Sequence, residues 1–238
     1  MRHIALFLML GILMLTACTA APSPNQDQQA TNTIAPSPTV PAAQMPTETQ
    51  SPTVSSPAAG TIVFKIISGE SKVFYEVNET FLNQNNRFNT AVGITPQISG
   101  EVYANLQNPP ASSLSVIEVD ISQFESDSSR RDDAIRQKWL ESARFPIARF
   151  VPTKIEGLPE SYTEGKEYSF RVTGELTVRD TTKPVTFDVR ASLANQTLTG
   201  NATTTILMSD FGIGPISIAG ILQTEDIVKV TLQFVARP

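Results

Sequence analysis

Histidine and cysteine are almost missing from this sequence, which holds one of each, His3 and Cys18. Both lie in the first 18 residues, so residues 19–238 contain neither an imidazole nor a thiol. This excludes from the body of the chain the usual general base, the Ser–His and Cys–His nucleophile pairs, and the common zinc and copper ligand sets. A single cysteine also has no intramolecular disulfide partner.

The sequence also lacks a phosphate-cradling glycine loop and the spacing of a calcium loop. Its net charge of −5 argues against a protein that grips nucleic acid through phosphates. Only carboxylates, lysines, tyrosines and hydroxyls remain for catalysis, and Asp132, Asp133 and Glu141 lie close together in sequence. A solvated helix face explains these three carboxylates better than an acid–base site does. We therefore expect no enzyme, no metal site and no cofactor.

Residues 1–17 have the pattern of a secretory signal. Arg2 and His3 give a positive start, and the apolar run Ile4–Leu15 is too short to span a bilayer. The run closes on Leu15-Thr16-Ala17-Cys18, which resembles the lipobox of bacterial lipoproteins. That resemblance implies that Cys18 carries fatty acyl chains such as palmitate and anchors the protein on the extracytoplasmic side of a bacterial membrane. The alternative is an ordinary secretory signal that contains a chance cysteine.

Residues 18–59 are predicted to be the acylated cysteine followed by a disordered tether. Pro, Ser, Thr, Ala and Gln dominate this stretch, and only Asp27 and Glu48 are charged. Such a segment cannot bury enough apolar surface to offset the entropy cost of ordering it. Because proline favours extended polyproline geometry, the tether is expected to be a semi-rigid spacer between the membrane and the domain.

Residues 60–238 have the alternation of an all-β domain. In Phe170–Val178 and Val185–Leu193, apolar residues recur at every second position against polar ones, and Val228–Phe234 repeats the pattern. Period-two alternation with one polar face is typical of antiparallel strands with one solvated side. About eight twisted strands of this kind usually close into a barrel or split into a sandwich. Gly174 falls on the apolar face, where it predicts a bend or bulge.

A helix is predicted mid-chain, within residues 127–150, where the only Trp and the densest charge occur. Ser129 is the expected N-cap with Asp132 three residues later, and Arg131 and Asp132 are expected to brace the helix. Trp139, Leu140 and Phe145 would face inward and the charged residues would face water. Pro146 is expected to end the helix and start the next strand.

Several short motifs follow one another along the chain: Ser71–Val77, Asp120, Arg131-Asp132, Trp139-Leu140, Phe145-Pro146, Phe150, Gly174–Val178 and Thr182–Val185. Their order resembles the YceI-like domain, a lipocalin-like antiparallel barrel whose members bind polyisoprenoid or related lipid in the lumen. The resemblance covers residues 60–238 and includes the late turn Ser209-Asp210-Phe211-Gly212, in which Asp210 is expected to fix the turn before Gly212. The stretch Glu79–Asn89 is longer than in that family.

The resemblance implies a barrel whose lumen holds a polyisoprenoid or other amphiphilic lipid without covalent chemistry. The candidate lining residues are Val73, Tyr75, Val77, Trp139, Phe170, Val172, Phe187 and Val189. Two alternatives stay open at this point. One is a structural or interaction lipoprotein whose barrel is solidly filled and binds no ligand. The other is an isomerase or lyase that uses a tyrosine and carboxylates, which would need both groups to meet in a wet pocket. The sequence leaves the oligomeric state open.

Overall fold

The computed structural model describes residues 60–238. The predicted signal, the acylation site Cys18 and the tether lie outside these residues, so those assignments and the domain boundary at residue 60 stay predictions. Within residues 60–238, no helix is long and apolar enough to cross a membrane.

The described residues form a 13-stranded antiparallel sheet and one short helix, which confirms the predicted all-β class. The helix α1 spans Ser129–Ala134 and continues into a π-helical turn at Ile135–Trp139. The strands are β1 (Thr61–Ile66), β2 (Lys72–Phe81), β3 (Arg87–Thr95), β4 (Ile98–Ser99), β5 (Glu101–Asn105), β6 (Ser113–Leu114), β7 (Ile117–Asp120), β8 (Ile147–Glu156), β9 (Glu167–Val178), β10 (Thr181–Ala194), β11 (Thr197–Leu207), β12 (Ser217–Ile218) and β13 (Leu222–Arg237).

The sheet curls back on itself as a barrel-like wall. Its pairing order runs β4-β7-β8-β9-β10-β11-β13-β1-β5-β6, and β2 and β3 continue from the early part of β13. The strands β4 and β5, near the two ends of this order, are joined in the chain by Gly100 alone. Gly100 has φ of 153°, and a Cβ there would lie 2.4 Å from the Ile117 side chain, so a side chain at this bend would be strained.

The long strands account for the predicted count of about eight, and the excess comes from short pieces. β4, β6 and β12 have two residues each and β7 has four. The stretch Glu79–Asn89 forms the far end of the β2–β3 hairpin, where the last pair is Phe81 with Arg87. Gly174 lies opposite Pro152, where the β8–β9 register shifts by one residue, so a bulge is found at this position, but its extra residue, Thr153, is on β8.

The helix is shorter than predicted and its charges are arranged differently. Its N-cap is Ser128, not Ser129, because the Ser128 hydroxyl accepts a hydrogen bond from the backbone N–H of Arg131 at 3.4 Å. Asp132 is buried rather than solvated, since its carboxylate accepts hydrogen bonds from the backbone and hydroxyl of Ser126 at 3.1 and 2.6 Å. The helical segment ends at Trp139, and Pro146 lies directly before β8 but does not end the helix.

Candidate functional site

A cavity of about 370 Å³ lies along the inside of the curled sheet. Its wall is formed by inward-facing residues of most of the long strands together with the helix and the loops at both ends. No Asp, Glu, Lys or Arg side chain is on this wall within residues 60–238, and its few polar members are mainly tyrosines. A volume of this size falls in the range of about 300–1,000 Å³ that is common for small-molecule sites.

All eight of the predicted lining residues lie on the wall of this cavity: Val73, Tyr75, Val77, Trp139, Phe170, Val172, Phe187 and Val189. They come from β2, the π-helical turn, β9 and β10, which are distant in sequence. Sheet curvature brings them together. That they contact a ligand stays a prediction.

Sequence reasoning missed many other wall residues, mainly on elements with weak alternation. The sequence could have identified some of them, because Leu176, Val230 and Phe234 fall on the apolar face of regularly alternating strands, as the predicted residues do. Others come from irregular segments that carry no periodic signal. Examples are Phe124, Leu158, Tyr162, Phe211 and Ile216.

The cavity is elongated along the strands. On β9 its wall includes Tyr168 near one end and Val178 at the other. Ten residues of extended strand span about 33 Å, and a strand tilt of about 40° reduces this to roughly 25 Å along the barrel axis. A cavity of this length and modest volume is narrow, which is the shape that a linear hydrocarbon chain requires.

One end of the cavity is covered by the helical segment and the loop before β12. Trp139 and Leu140 line the cavity here, together with Phe211 and Ile213. Arg179, in the β9–β10 turn, ties these pieces to each other. Its guanidinium donates to the carbonyl oxygens of Trp139 at 3.2 Å and Gly212 at 3.3 Å, and it pairs with Glu141 at 2.6 Å. The helix end is therefore fixed to the barrel rim.

The late turn at this end has a different brace from the one predicted. Gly212 adopts φ of 64° after the 3₁₀ turn Ser209–Phe211, as a turn at this position requires. However, Asp226 and not Asp210 holds the turn, because its carboxylate accepts the backbone N–H of Ser209 at 2.8 Å and also the Ser209 hydroxyl. Asp210 is exposed.

Phe145 was predicted to face inward, but it is not on the cavity wall. Its half-buried ring lies beneath the Arg144 guanidinium.

The opposite end of the cavity is lined by the loop that follows β5 and by the loop that precedes β9. Leu106 and Pro109 contribute to the wall from one loop, and Leu158, Pro159 and Tyr162 from the other. The Tyr162 hydroxyl donates to the carbonyl oxygen of Leu193 at 2.9 Å, which fixes this loop against β10. Tyr162 therefore presents its ring to the cavity while its polar atom is bonded to the backbone.

Tyr75 connects the cavity to a group of charged residues near the helix. Its ring packs edge-on against Phe124, with centroids 5.1 Å apart, and covers Gly93 on β3. A Cβ at position 93 would lie 2.1 Å from the ring, so only glycine leaves the space that this tyrosine fills. Burial raises the pKa of Tyr75 to about 12, although nearby Arg131 acts in the opposite direction.

The charged group itself is a buried brace between β2 and the helix. Glu79 follows Val73, Tyr75 and Val77 on the inner face of β2 and is 4% exposed. Its carboxylate accepts hydrogen bonds from Arg131 at 2.8 Å and from Asn89 at 2.8 Å, and Arg131 also pairs with Asp127. Since a buried carboxylate needs such partners, this brace fixes the start of the helix on the barrel.

The carboxylates of the brace are engaged in hydrogen bonds outside the cavity. Glu79 and Asp132 are close enough to Tyr75 to act on its pKa, but neither is on the cavity wall, and both accept hydrogen bonds from neighbouring side chains. A phenol with a raised pKa is also a poor acid at neutral pH. Within residues 60–238, no cluster of three or more His, Cys, Asp or Glu side chains is arranged to hold a metal ion.

Comparison with known proteins identifies the same domain. A model of the YceI-like domain family matches residues 64–236. A UPF0312 protein of Pseudomonas putida strain GB-1 is 34% identical over 115 residues, which are 45% of this chain and 56% of the relative. The protein YceI of Salmonella newport is 27% identical over 128 residues, covering 52% of this chain and 62% of the relative. These matches therefore span a little more than half the length of the relatives.

Two solved structures share the fold at low sequence identity. BcnA of Burkholderia cenocepacia superposes with a TM-score of 0.55 at 21% identity and covers 71% of this chain and 98% of BcnA. A polyisoprenoid binding domain from Saccharophagus degradans superposes with a TM-score of 0.53 at 10% identity, covering 73% and 97% of the two chains. Nearly the whole of each of these structures matches, so they share the fold of this chain.

Proposed function

The chain belongs to the YceI-like family, and from this premise we propose that it is a binding protein that holds the hydrocarbon chain of an amphiphilic lipid inside the barrel. The narrow apolar cavity of about 370 Å³ carries this proposal. Because its wall has no charged side chain, burial there would stabilise a hydrocarbon chain, whereas a charged group would lose its hydration without a compensating partner.

A polyisoprenoid is the ligand class that we favour. The Saccharophagus degradans neighbour is a polyisoprenoid binding domain, and the cavity here has the length and narrow shape that a linear chain needs. Recognition would depend on shape and apolar contact along the chain. The polar head of the lipid would then remain at one end of the barrel, outside the apolar wall.

We propose that binding is not followed by chemistry. The described residues contain neither histidine nor cysteine, and the carboxylates of Glu79 and Asp132 are held by Arg131, Asn89 and Ser126. The alternative of a solidly filled structural barrel is disfavoured by the size of the cavity. A filled core has few voids larger than a water molecule.

Mass spectrometry of organic extracts from the purified protein tests the proposal. We expect an isoprenoid or acyl lipid at a stoichiometry near one per chain. Ala202 lines the cavity, so Ala202→Phe should fill part of the lumen and reduce the bound lipid. Thr205→Phe on the exposed face of the same strand is the matched control and should retain it. A lumen that refuses all isoprenoid and acyl ligands would contradict the proposal.

We further propose that Cys18 anchors this binding protein in the cell envelope. The lipobox-like Leu15–Cys18 supports this, and several acyl chains on one residue give stable attachment. Metabolic labelling with palmitate should label the wild-type protein and leave Cys18→Ser unlabelled, with the variant released from the membrane fraction. Equal membrane retention of the two proteins would contradict the anchor and would leave the lipid-binding proposal unaffected.

A further inference from the structure

The outer edge of β3 is a strand edge that has no partner over most of its length. Ile94 exchanges both of its backbone hydrogen bonds with Glu125, at 2.8 and 3.0 Å. In an antiparallel ladder, every second residue points its N–H and C=O to the same side. The backbone groups of Phe88, Thr90 and Val92 therefore point to the same free edge, and no other residue of 60–238 bonds them.

The same residues expose apolar side chains. Phe88 is 62% exposed, and Val92 and Ile94 are each 37% exposed. They lie on the outer face of the hairpin, since the alternate residues Ala91 and Gly93 face inward and are buried. An open strand edge beside exposed apolar side chains is unusual, because natural proteins protect such edges with lysine, proline or bulges. β3 has none of these three devices.

The charge pattern of β3 suits a second copy of the same strand. Arg87 at its start is the only charged residue between 87 and 95. If two copies meet antiparallel about a two-fold axis at Thr90, then Phe88 of each faces Val92 of the other and Arg87 faces Gly93. The two arginines are then separated by about 20 Å, which is six residues of strand. No like charges meet, and a two-fold axis makes both halves of the contact equivalent.

We propose that two copies of this protein pair through the free edges of β3, which joins their sheets into one. All of the free N–H and C=O groups of Phe88, Thr90 and Val92 are then satisfied, in about six hydrogen bonds across the axis. The exposed Phe88 and Val92 side chains become cross-strand neighbours. This pairing does not involve the cavity, so it is independent of the proposed lipid binding.

Cysteine crosslinking of the full chain in its membrane tests this pairing. Thr90→Cys places two thiols on the axis, where the Cα atoms of a hydrogen-bonded pair are about 5.5 Å apart, within the range of a disulfide. Under a mild thiol oxidant we expect a disulfide-linked dimer on a non-reducing gel. Wild-type protein, whose one cysteine is Cys18, and Thr205→Cys, an exposed threonine on β11, are the controls and should remain monomeric.

A second substitution distinguishes pairing from random collision. Val92→Glu in the Thr90→Cys background puts a carboxylate against Phe88 of the other copy and should abolish the crosslink, with Phe88→Lys having the same effect. Circular dichroism and lipid content should be unchanged, since both side chains lie on the outer face. The proposal is overturned if Thr90→Cys crosslinks no more than Thr205→Cys, or if its crosslink persists with Val92→Glu and Phe88→Lys.

Discussion

Replacing Arg131 by methionine should destabilise the barrel far more than the loss of an ordinary surface ion pair. The Arg131 guanidinium is 2.8 Å from the Glu79 carboxylate, and the two side chains are 16% and 4% exposed. Without Arg131, Glu79 keeps only Asn89 as a partner among the described residues. An uncompensated buried carboxylate of this kind costs about 3–5 kcal/mol.

Thermal and urea unfolding, followed by circular dichroism, measure this cost. For a domain of this size, 1 kcal/mol shifts Tm by roughly 2–4 °C, so Arg131→Met should lower Tm by about 10 °C. Adding Glu79→Gln to Arg131→Met removes the buried charge and should recover part of the loss. Arg149→Met is the matched control, because Arg149 and Glu118 form a 3.1 Å pair that is about half exposed on both sides. It should cost less than about 1 kcal/mol.

The reasoning is refuted if Arg131→Met and Arg149→Met have similar stabilities. It is also refuted if Glu79→Gln destabilises the Arg131→Met protein further. In that case the unpaired charge of Glu79 is not the main cause of the lost stability. Either result would mean that water reaches Glu79 and that the brace contributes little to holding the helix on the barrel.

Three further predictions concern Trp139 and Tyr75, two residues of the cavity wall. Trp139→Ala removes a half-buried side chain and should cost about 2 kcal/mol in urea unfolding; unchanged stability with lost lipid would make the helix a binding element instead. Gly93→Ala puts a Cβ 2.1 Å from the Tyr75 ring and should lower stability by about 1–3 kcal/mol, whereas an unchanged Tm would show that the ring moves freely. Burial raises the pKa of Tyr75 from 10.0 to about 12. The neutral phenol therefore contributes its full share to the free energy of unfolding below pH 10, and this share is lost as pH rises through 12. Tyr75→Phe should therefore lose less stability than wild type between pH 10 and 12, and parallel pH profiles would contradict this.

Strand alternation made the part of the wall on the long, regular strands predictable. Phe170, Val172, Phe187 and Val189 fall on one face of two long, regular strands, and the structure places all four on the cavity. Gly174 was interpretable as a bulge because a glycine in such a register has no side chain to pack. Period-two patterns predict which face is inward wherever the strand is long enough to repeat.

The helix region was less predictable because its partners are distant in sequence. The sequence predicted Asp132 to be a solvated charge, yet it is buried and accepts a hydrogen bond from the loop residue Ser126. Glu79 shares the inward register of Tyr75 and Val77, and a carboxylate in that register needs a cation, but the pattern does not identify Arg131 as that cation. Likewise, the turn at Gly212 was visible, whereas its brace Asp226 comes from the start of the last strand.

The central claim is that an apolar chain occupies the lumen, and the single tryptophan reports on it directly. Trp139 is the only Trp in the chain and lies on the cavity wall. Titration of delipidated protein with a brominated long-chain lipid should quench Trp139 fluorescence saturably at about one lipid per chain, and Ala202→Phe should weaken this while Thr205→Phe should not. Quenching that never saturates, or that is equal in both variants, would contradict a lipid-holding lumen.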